Sequence, residues 1–99
     1  MEVIKDIGAA RPKGIMLEDA LWALRKEYKL ELESSYTSGI VTTDFYKGDG
    51  IQVRWVAAFK IGIPSLEVKC EKGKWYEVRA FLQRSGFFRE YPTKKEKKG

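Results

Sequence analysis

The fold is decided by residues 36–55, YTSGIVTTDFYKGDGIQVRW, which are rich in the threonine, valine, isoleucine and aromatic residues that fit a pleated sheet. Within this stretch the segment Lys47–Gly50 is a turn signal, because glycine readily takes a positive φ angle. The residues after the turn alternate between apolar and polar with a period of two. We therefore predict a β-hairpin formed by residues 36–46 and 51–60.

Segments on both sides of this hairpin show a clear periodicity. Apolar residues recur every three or four positions before it and predict a helix, whose apolar stripe consists of Leu17, Leu21, Leu24 and Tyr28. After the hairpin, strict alternation over residues 66–71 predicts a further strand. A short strand is also predicted at residues 2–7, and it is followed by a loop at residues 8–14, where a proline and two glycines interrupt regular structure.

Residues 74–85, KWYEVRAFLQRS, fit a strand at period two and a helix at period 3.6. We favour the helix because Gly86 is a typical helix stop, and we expect a terminal strand at residues 87–91. The prediction is an α+β protein with one small, mostly antiparallel β-sheet packed against one or two helices. Residues 1–93 form its single domain, and residues 94–99 form a basic flexible tail.

Composition limits the chemistry that this 99-residue chain can perform. It contains no histidine and one cysteine, which argues against zinc sites and against catalysis by a Ser-His or Cys-His pair. The lone Cys70 is expected to be a buried thiol or to indicate a reducing compartment. The chain also lacks asparagine and is rich in lysine and glutamate, a composition typical of hyperthermophilic proteins, so we expect a thermostable protein.

The net charge of +5 suggests a nucleic-acid partner, but much of it lies in the tail KKEKKG. Its four lysines are Lys94, Lys95, Lys97 and Lys98. They either keep a solvated end soluble or form an arm that binds phosphates, and we favour the first interpretation. No apolar stretch is long enough to span a membrane or to serve as a signal peptide, so we expect an intracellular protein without a membrane partner.

The segment Leu66–Lys69 contains an E-x-K pattern on a predicted strand. Period two places Glu67 and Lys69 on one face, where the acid could bind Mg²⁺ and the lysine could polarise a water molecule. A second acid is required, and Asp49 in the turn and Asp44 on the preceding strand are the candidates. The alternative is an ordinary strand whose solvent-facing side carries alternating charges.

The order helix, strands, E-x-K strand, helix and strand over about residues 17–91 resembles the PD-(D/E)-x-K nucleases, a family that includes archaeal Holliday junction resolvases. The resemblance implies that Asp49 and Glu67 hold Mg²⁺ and that Lys69 assists the attacking water. It also implies that Glu18 or Glu27 of the first helix supplies a further acid.

Size and composition also resemble the small proteins of crenarchaeal filamentous DNA viruses of the Acidianus filamentous virus type. This resemblance implies an archaeal viral accessory protein that acts in the host cytoplasm. We expect a non-enzymatic accessory or binding protein without a cofactor, whose partner is a nucleic acid or a protein. Two copies are expected to associate through an exposed strand edge. The alternative is a Mg²⁺-dependent nuclease.

Overall fold

The structure, a computed structural model, describes residues 1–8, 16–58 and 64–88. The elements in chain order are β1 (Glu2–Asp6), α1 (Leu17–Glu27), β2 (Glu31–Ser38), β3 (Val41–Gly48), β4 (Ile51–Ala58), β5 (Ser65–Glu71) and α2 (Lys72–Arg84). The five strands form one sheet in the order β1-β5-β4-β3-β2, and every neighbouring pair is antiparallel. The predicted α+β class with a small antiparallel sheet is therefore confirmed.

The chain visits both edges of the sheet early. β1 lies at one edge beside β5, and β2 lies at the other edge, so the segment containing α1 carries the chain from one edge to the other. The strands β2 to β5 then follow one another as a meander back towards β1. This path places β1 and α2, which lie near the two ends of the described chain, next to each other.

Both helices pack on one face of the sheet. β5 presents Leu66, Val68 and Cys70 to this face, and all three are buried. The helices cover them with two apolar stripes, Leu17, Ala20, Leu21 and Leu24 from α1 and Trp75, Val78 and Leu82 from α2. The alternate residues of the strands line the other face, which no helix among the described residues covers, and we call it the open face. The periodicity of the sequence is thus the signature of a two-layer arrangement.

The single strand predicted at residues 36–46 is wrong, because these residues contain the end of β2, a turn and most of β3. Gly39 has a φ of +63°, which reverses the chain between β2 and β3. The turn signal at Lys47–Gly50 was interpreted correctly and joins β3 to β4, where Gly50 has a φ of +77°. Glycine tolerates these angles because it has no Cβ atom.

The ambiguous segment after β5 is helical, as predicted. α2 begins at Lys72, directly after β5, and Gly86 with a φ of +83° lies just beyond its end. Phe87 and Phe88 are not in a strand, and residues 89–91 of the predicted terminal strand lie outside the described residues. Most of the predicted loop at residues 8–14 and the whole tail at residues 94–99 also lie outside them. Among the described helices none is long and apolar enough to cross a membrane.

Candidate functional site

The E-x-K residues lie on the open face of β5, where the sequence placed them. Glu67 and Lys69 alternate with the buried Leu66 and Val68. They line a shallow depression of about 260 Å³ that crosses the sheet from β1 to β3. Its lining side chains on this face are Ile4, Phe45, Gln52, Arg54, Glu67 and Lys69.

Each of the two E-x-K side chains has a partner of opposite charge. An Arg54 guanidinium nitrogen lies 2.8 Å from Glu67 Oε1, and Lys69 Nζ lies 3.7 Å from Glu2 Oε1. Arg54 faces Glu67 directly in the register of β4 and β5. The carboxylate that a metal ion would need is therefore already neutralised by a guanidinium.

The two acids considered as partners for Glu67 lie elsewhere. Asp49 is in the turn between β3 and β4, five residues before Arg54, which corresponds to a distance on the order of 15 Å along the strand from Glu67. Asp44 pairs in register with the buried Trp55, so it lies on the helix-covered side of the sheet, where it accepts a hydrogen bond from Ser35 Oγ.

The further acids implied by the nuclease resemblance, Glu18 and Glu27, belong to α1. α1 packs against the face opposite to the one that carries Glu67, so the sheet separates these acids from the E-x-K pair. The structure thus brings Glu67 and Lys69 together and leaves Asp44, Glu18 and Glu27 on the other side of the sheet.

A different acid, Asp6 of β1, lies beside Glu67. The two residues are direct partners in the antiparallel register of β1 and β5, and Glu2 is likewise the partner of Glu71. Like charges in directly opposed positions repel each other. Arg54 relieves this repulsion at Glu67, and the amino group of Met1 relieves it at Glu71, at a distance of 2.9 Å.

Asp6 was not among the acids predicted from the sequence, although a strand was predicted at residues 2–7. Two carboxylates on adjacent strands can bind one divalent cation whose remaining ligands are water molecules. Here the backbone N–H of Gly8 donates to Asp6 Oδ1 at 2.9 Å, while Arg54 occupies Glu67. A cation would have to displace Arg54. No group of three or more metal-ligating side chains occurs in the part of the chain that the structure describes.

A second surface lies on the outer side of α2. Lys72, Tyr76 and Arg79 follow one another at spacings of four and three, so they share one flank of this helix. Trp75 borders the same flank, and Lys5 Nζ of β1 lies 5.9 Å from the centre of its ring. We call Lys5, Lys72, Tyr76 and Arg79 the α2 basic flank.

The only acid of α2 lies on the opposite side of the helix. Glu77 Oε2 is 3.0 Å from Lys74 Nζ, and hydrogen bonding to this lysine lowers the pKa of Glu77. Its charge is thus compensated locally by Lys74. Glu77 is therefore paired away from the α2 basic flank.

The excess positive charge of the chain is concentrated in residues 72–99. Residues 72–99 contain nine basic and three acidic side chains, whereas residues 1–71 contain ten basic and eleven acidic ones. The open face itself combines Lys47, Arg54 and Lys69 with the acids Glu2, Asp6, Glu31, Glu67 and Glu71. The tail boundary predicted at residue 94 falls within this basic region, so the charge asymmetry becomes visible only when the sequence is divided at the start of α2.

The last part of the chain that the structure describes returns to α2. Phe88, the last described residue, packs against Trp75 with ring centres 6.0 Å apart.

Cys70 shows no sign of reactivity in this arrangement. It is 3% exposed on the helix-covered face, and burial raises the pKa of its thiol. The expectation of a buried cysteine is therefore confirmed. A buried thiol of raised pKa is a poor nucleophile.

Comparison with protein families, with characterised proteins and with solved structures finds no match to this chain.

Proposed function

We propose that this is a non-enzymatic accessory protein that binds nucleic acid through the phosphate backbone. The observation that carries the proposal is the α2 basic flank, where Lys5 Nζ lies 5.9 Å from the centre of the Trp75 ring, and Lys72 and Arg79 lie three residues before and four residues after Trp75 on α2. Lysine and arginine side chains that neutralise phosphates supply most of the affinity of sequence-independent binding.

The distribution of charge gives the bound molecule a preferred side. α2 has four basic residues and one acid, whereas acids outnumber cations on the open face. A polyanion is therefore attracted to α2 and repelled from the opposite side of the sheet. Tyr76, which is 58% exposed beside Lys72, supports contact with an unpaired base as well, because bases stack on exposed aromatic rings.

Fluorescence anisotropy with labelled duplex and single-stranded DNA, measured over a range of salt concentrations, tests this proposal. The pair Lys5→Ala and Lys72→Ala removes two charges from the flank. The control pair Lys26→Ala and Lys47→Ala removes the same charge from exposed positions outside it. For duplex DNA we expect the salt slope to fall by about 1.8 in the first variant and to stay unchanged in the second.

Truncation after Thr93 tests the tail separately. If Lys94, Lys95, Lys97 and Lys98 contact phosphates, this truncation also lowers the affinity and the slope; if they serve solubility, binding is unchanged. Equal binding by the two double-alanine variants, or no binding by the unmutated chain, would refute the proposed function.

The composition supports a hyperthermophilic, archaeal viral setting in which the protein acts inside the host cell. We expect a midpoint of thermal unfolding above about 90 °C. A cooperative transition at the temperatures of ordinary mesophilic domains contradicts both the thermophilic and the viral parts of this proposal.

The second candidate is a Mg²⁺-dependent nuclease, and the position of Asp6 opposite Glu67 favours it. In this alternative Asp6 replaces Asp49 as the second metal ligand, Glu67 holds the ion and Lys69 orients the attacking water. Arg54 would leave Glu67 when the ion binds. Cofactor use distinguishes the two functions, because the binding protein requires none.

Cleavage of supercoiled, linear and branched DNA with and without Mg²⁺ or Mn²⁺ separates the candidates. A nuclease loses activity with chelator and in each of Asp6→Asn, Glu67→Gln and Lys69→Met. Glu71→Gln, a substitution on the same face of the same strand, is the matched control and keeps activity. The binding protein shows no cleavage at any metal concentration, and cleavage that survives Glu67→Gln indicates a contaminant.

A further inference from the structure

The outer edge of β2 is exposed along its whole length. β2 has eight residues, all of them exposed, and in the described part of the chain it pairs on one side only, with β3. Natural edge strands usually carry lysine, proline or an inward-pointing charge that discourages pairing. The segment Ser34–Ser38 has none of these features. The two glutamates of β2, Glu31 and Glu33, lie outside this segment, where a bulge between Leu32 and Ser34 interrupts the pairing with β3.

The turn defines which backbone groups point outward. Residues 39 and 40 form a two-residue connection, so Ser38 and Val41 exchange hydrogen bonds within the hairpin. Hydrogen-bonded and non-hydrogen-bonded pairs alternate along an antiparallel ladder, so the next residue of β2 that is hydrogen-bonded to β3 is Tyr36. Ser35 and Thr37 therefore direct their N–H and C=O groups to the free edge.

Exposed apolar side chains accompany this edge. Tyr36 is 58% exposed on the open face, and Leu32 and Ile40 at the two ends of the segment are 52% and 42% exposed. The ring of Tyr36 rests on one side against Phe45, with centres 6.0 Å apart, which orients it beside the edge. An aromatic side chain held in this way can contribute to binding with little loss of conformational freedom.

We propose that two copies of the chain pair through β2, antiparallel and centred on Tyr36. In this register Ser35 exchanges both backbone hydrogen bonds with the partner's Thr37, and the symmetric pair does the same, which makes about four bonds. Tyr36 lies across from the partner's Tyr36 in a pair that is not hydrogen-bonded, where side chains approach most closely. The result is a continuous sheet of two five-stranded halves.

The segment is complementary to itself, which favours a second copy as its partner. Antiparallel pairing about Tyr36 places Glu33 opposite the partner's Gly39, so no charged residue faces another charge. It also places Leu32 near the partner's Ile40, which buries apolar surface at both ends of the segment. A two-fold axis through Tyr36 closes the assembly as a dimer.

Cysteine cross-linking tests both the contact and its register. Tyr36→Cys brings two thiols face to face at a Cα separation of about 4.5 Å, which suits a disulfide, so oxidation should yield covalent dimers. Ser34→Cys alone should not, because residue 34 faces the partner's residue 38. A mixture of Ser34→Cys and Ser38→Cys should cross-link. The unmutated chain, whose Cys70 is buried, is the background control.

Sedimentation equilibrium provides an independent measurement. Thr37→Pro removes the outward N–H without touching a bond to β3, so it should raise the dimer dissociation constant about tenfold or more. Thr37→Ala keeps the N–H and should stay dimeric. Far-ultraviolet circular dichroism verifies that both variants fold. An unmutated chain that stays monomeric, together with Tyr36→Cys that does not cross-link, would overturn the proposal, whatever the outcome of the DNA-binding measurements.

Discussion

Gly48→Ala should clearly destabilise this protein. A Cβ atom at residue 48 would clash with the carbonyl oxygen of Tyr28, and it would lie 2.8 Å from Leu30 Cδ2 and 3.0 Å from Leu30 Cα. Two of these atoms belong to the backbone of the segment that joins α1 to β2. Relief therefore requires that the segment move as a whole, because a side-chain rotation is not sufficient.

The expected loss follows from three contributions. Forcing an extra methyl group into a packed site typically costs about 1–3 kcal/mol. The displaced Tyr28 carbonyl also accepts the N–H of Asp49 at 2.9 Å, and weakening this bond costs about 0.5–1.5 kcal/mol. The lower entropy of the unfolded alanine chain returns about 0.4–1 kcal/mol. The central values of these contributions leave a net destabilisation of about 2 kcal/mol, or roughly 8–16 °C in the unfolding midpoint.

Gly73→Ala is the matched control. Residue 73 lies in the first turn of α2, and a Cβ atom there meets no heavy atom within 4 Å. The same entropy gain then acts without a clash, so this variant should be about 0.5 kcal/mol more stable than the unmutated chain. Guanidinium unfolding followed by tryptophan fluorescence measures both variants. If Gly48→Ala unfolds within about 0.5 kcal/mol of the unmutated chain, the close approach of β3 to Tyr28 is refuted.

Three further predictions concern individual side chains. Burial, and next the negative charge of Glu77, raise the pKa of the Tyr28 hydroxyl above its ordinary value of 10.0, so the folded protein retains this proton to a higher pH than the unfolded chain does. Its contribution to stability is complete below about pH 10 and falls above it, so Tyr28→Phe should flatten the alkaline decline in unfolding free energy; an unchanged decline would contradict the burial of this hydroxyl. Cys70 should react with iodoacetamide far more slowly in the folded protein than in guanidinium, and equal rates contradict its burial. Arg54→Met and Glu67→Gln should show a coupling free energy of about 0.5–1 kcal/mol in a double-mutant cycle at neutral pH, because the pair is partly exposed. A coupling free energy of zero would show that the two side chains do not interact.

Local patterns predicted several elements because their information lies within a few neighbouring residues. The stripe containing Leu17 and Leu24 identified α1, and the alternation around Val68 identified β5 together with the face that carries Glu67. The Gly39 turn was missed because the strand-forming residues on both sides of it read as one continuous strand. For α2 both periods fitted, and the helix predicted from Gly86 is the element that covers the apolar face of β5.

The amino-acid sequence by itself determined the α+β class, the absence of histidine chemistry, the E-x-K pair on one strand face and the basic character of the last part of the chain. Only the tertiary structure decided that Asp6 lies beside Glu67 and that Asp44 lies on the other side of the sheet. The physical reason is the distance along the chain between contacting strands. The period of a strand is local, but β1 meets β5 across most of the sequence, and their register depends on the packing of all five strands beneath the two helices.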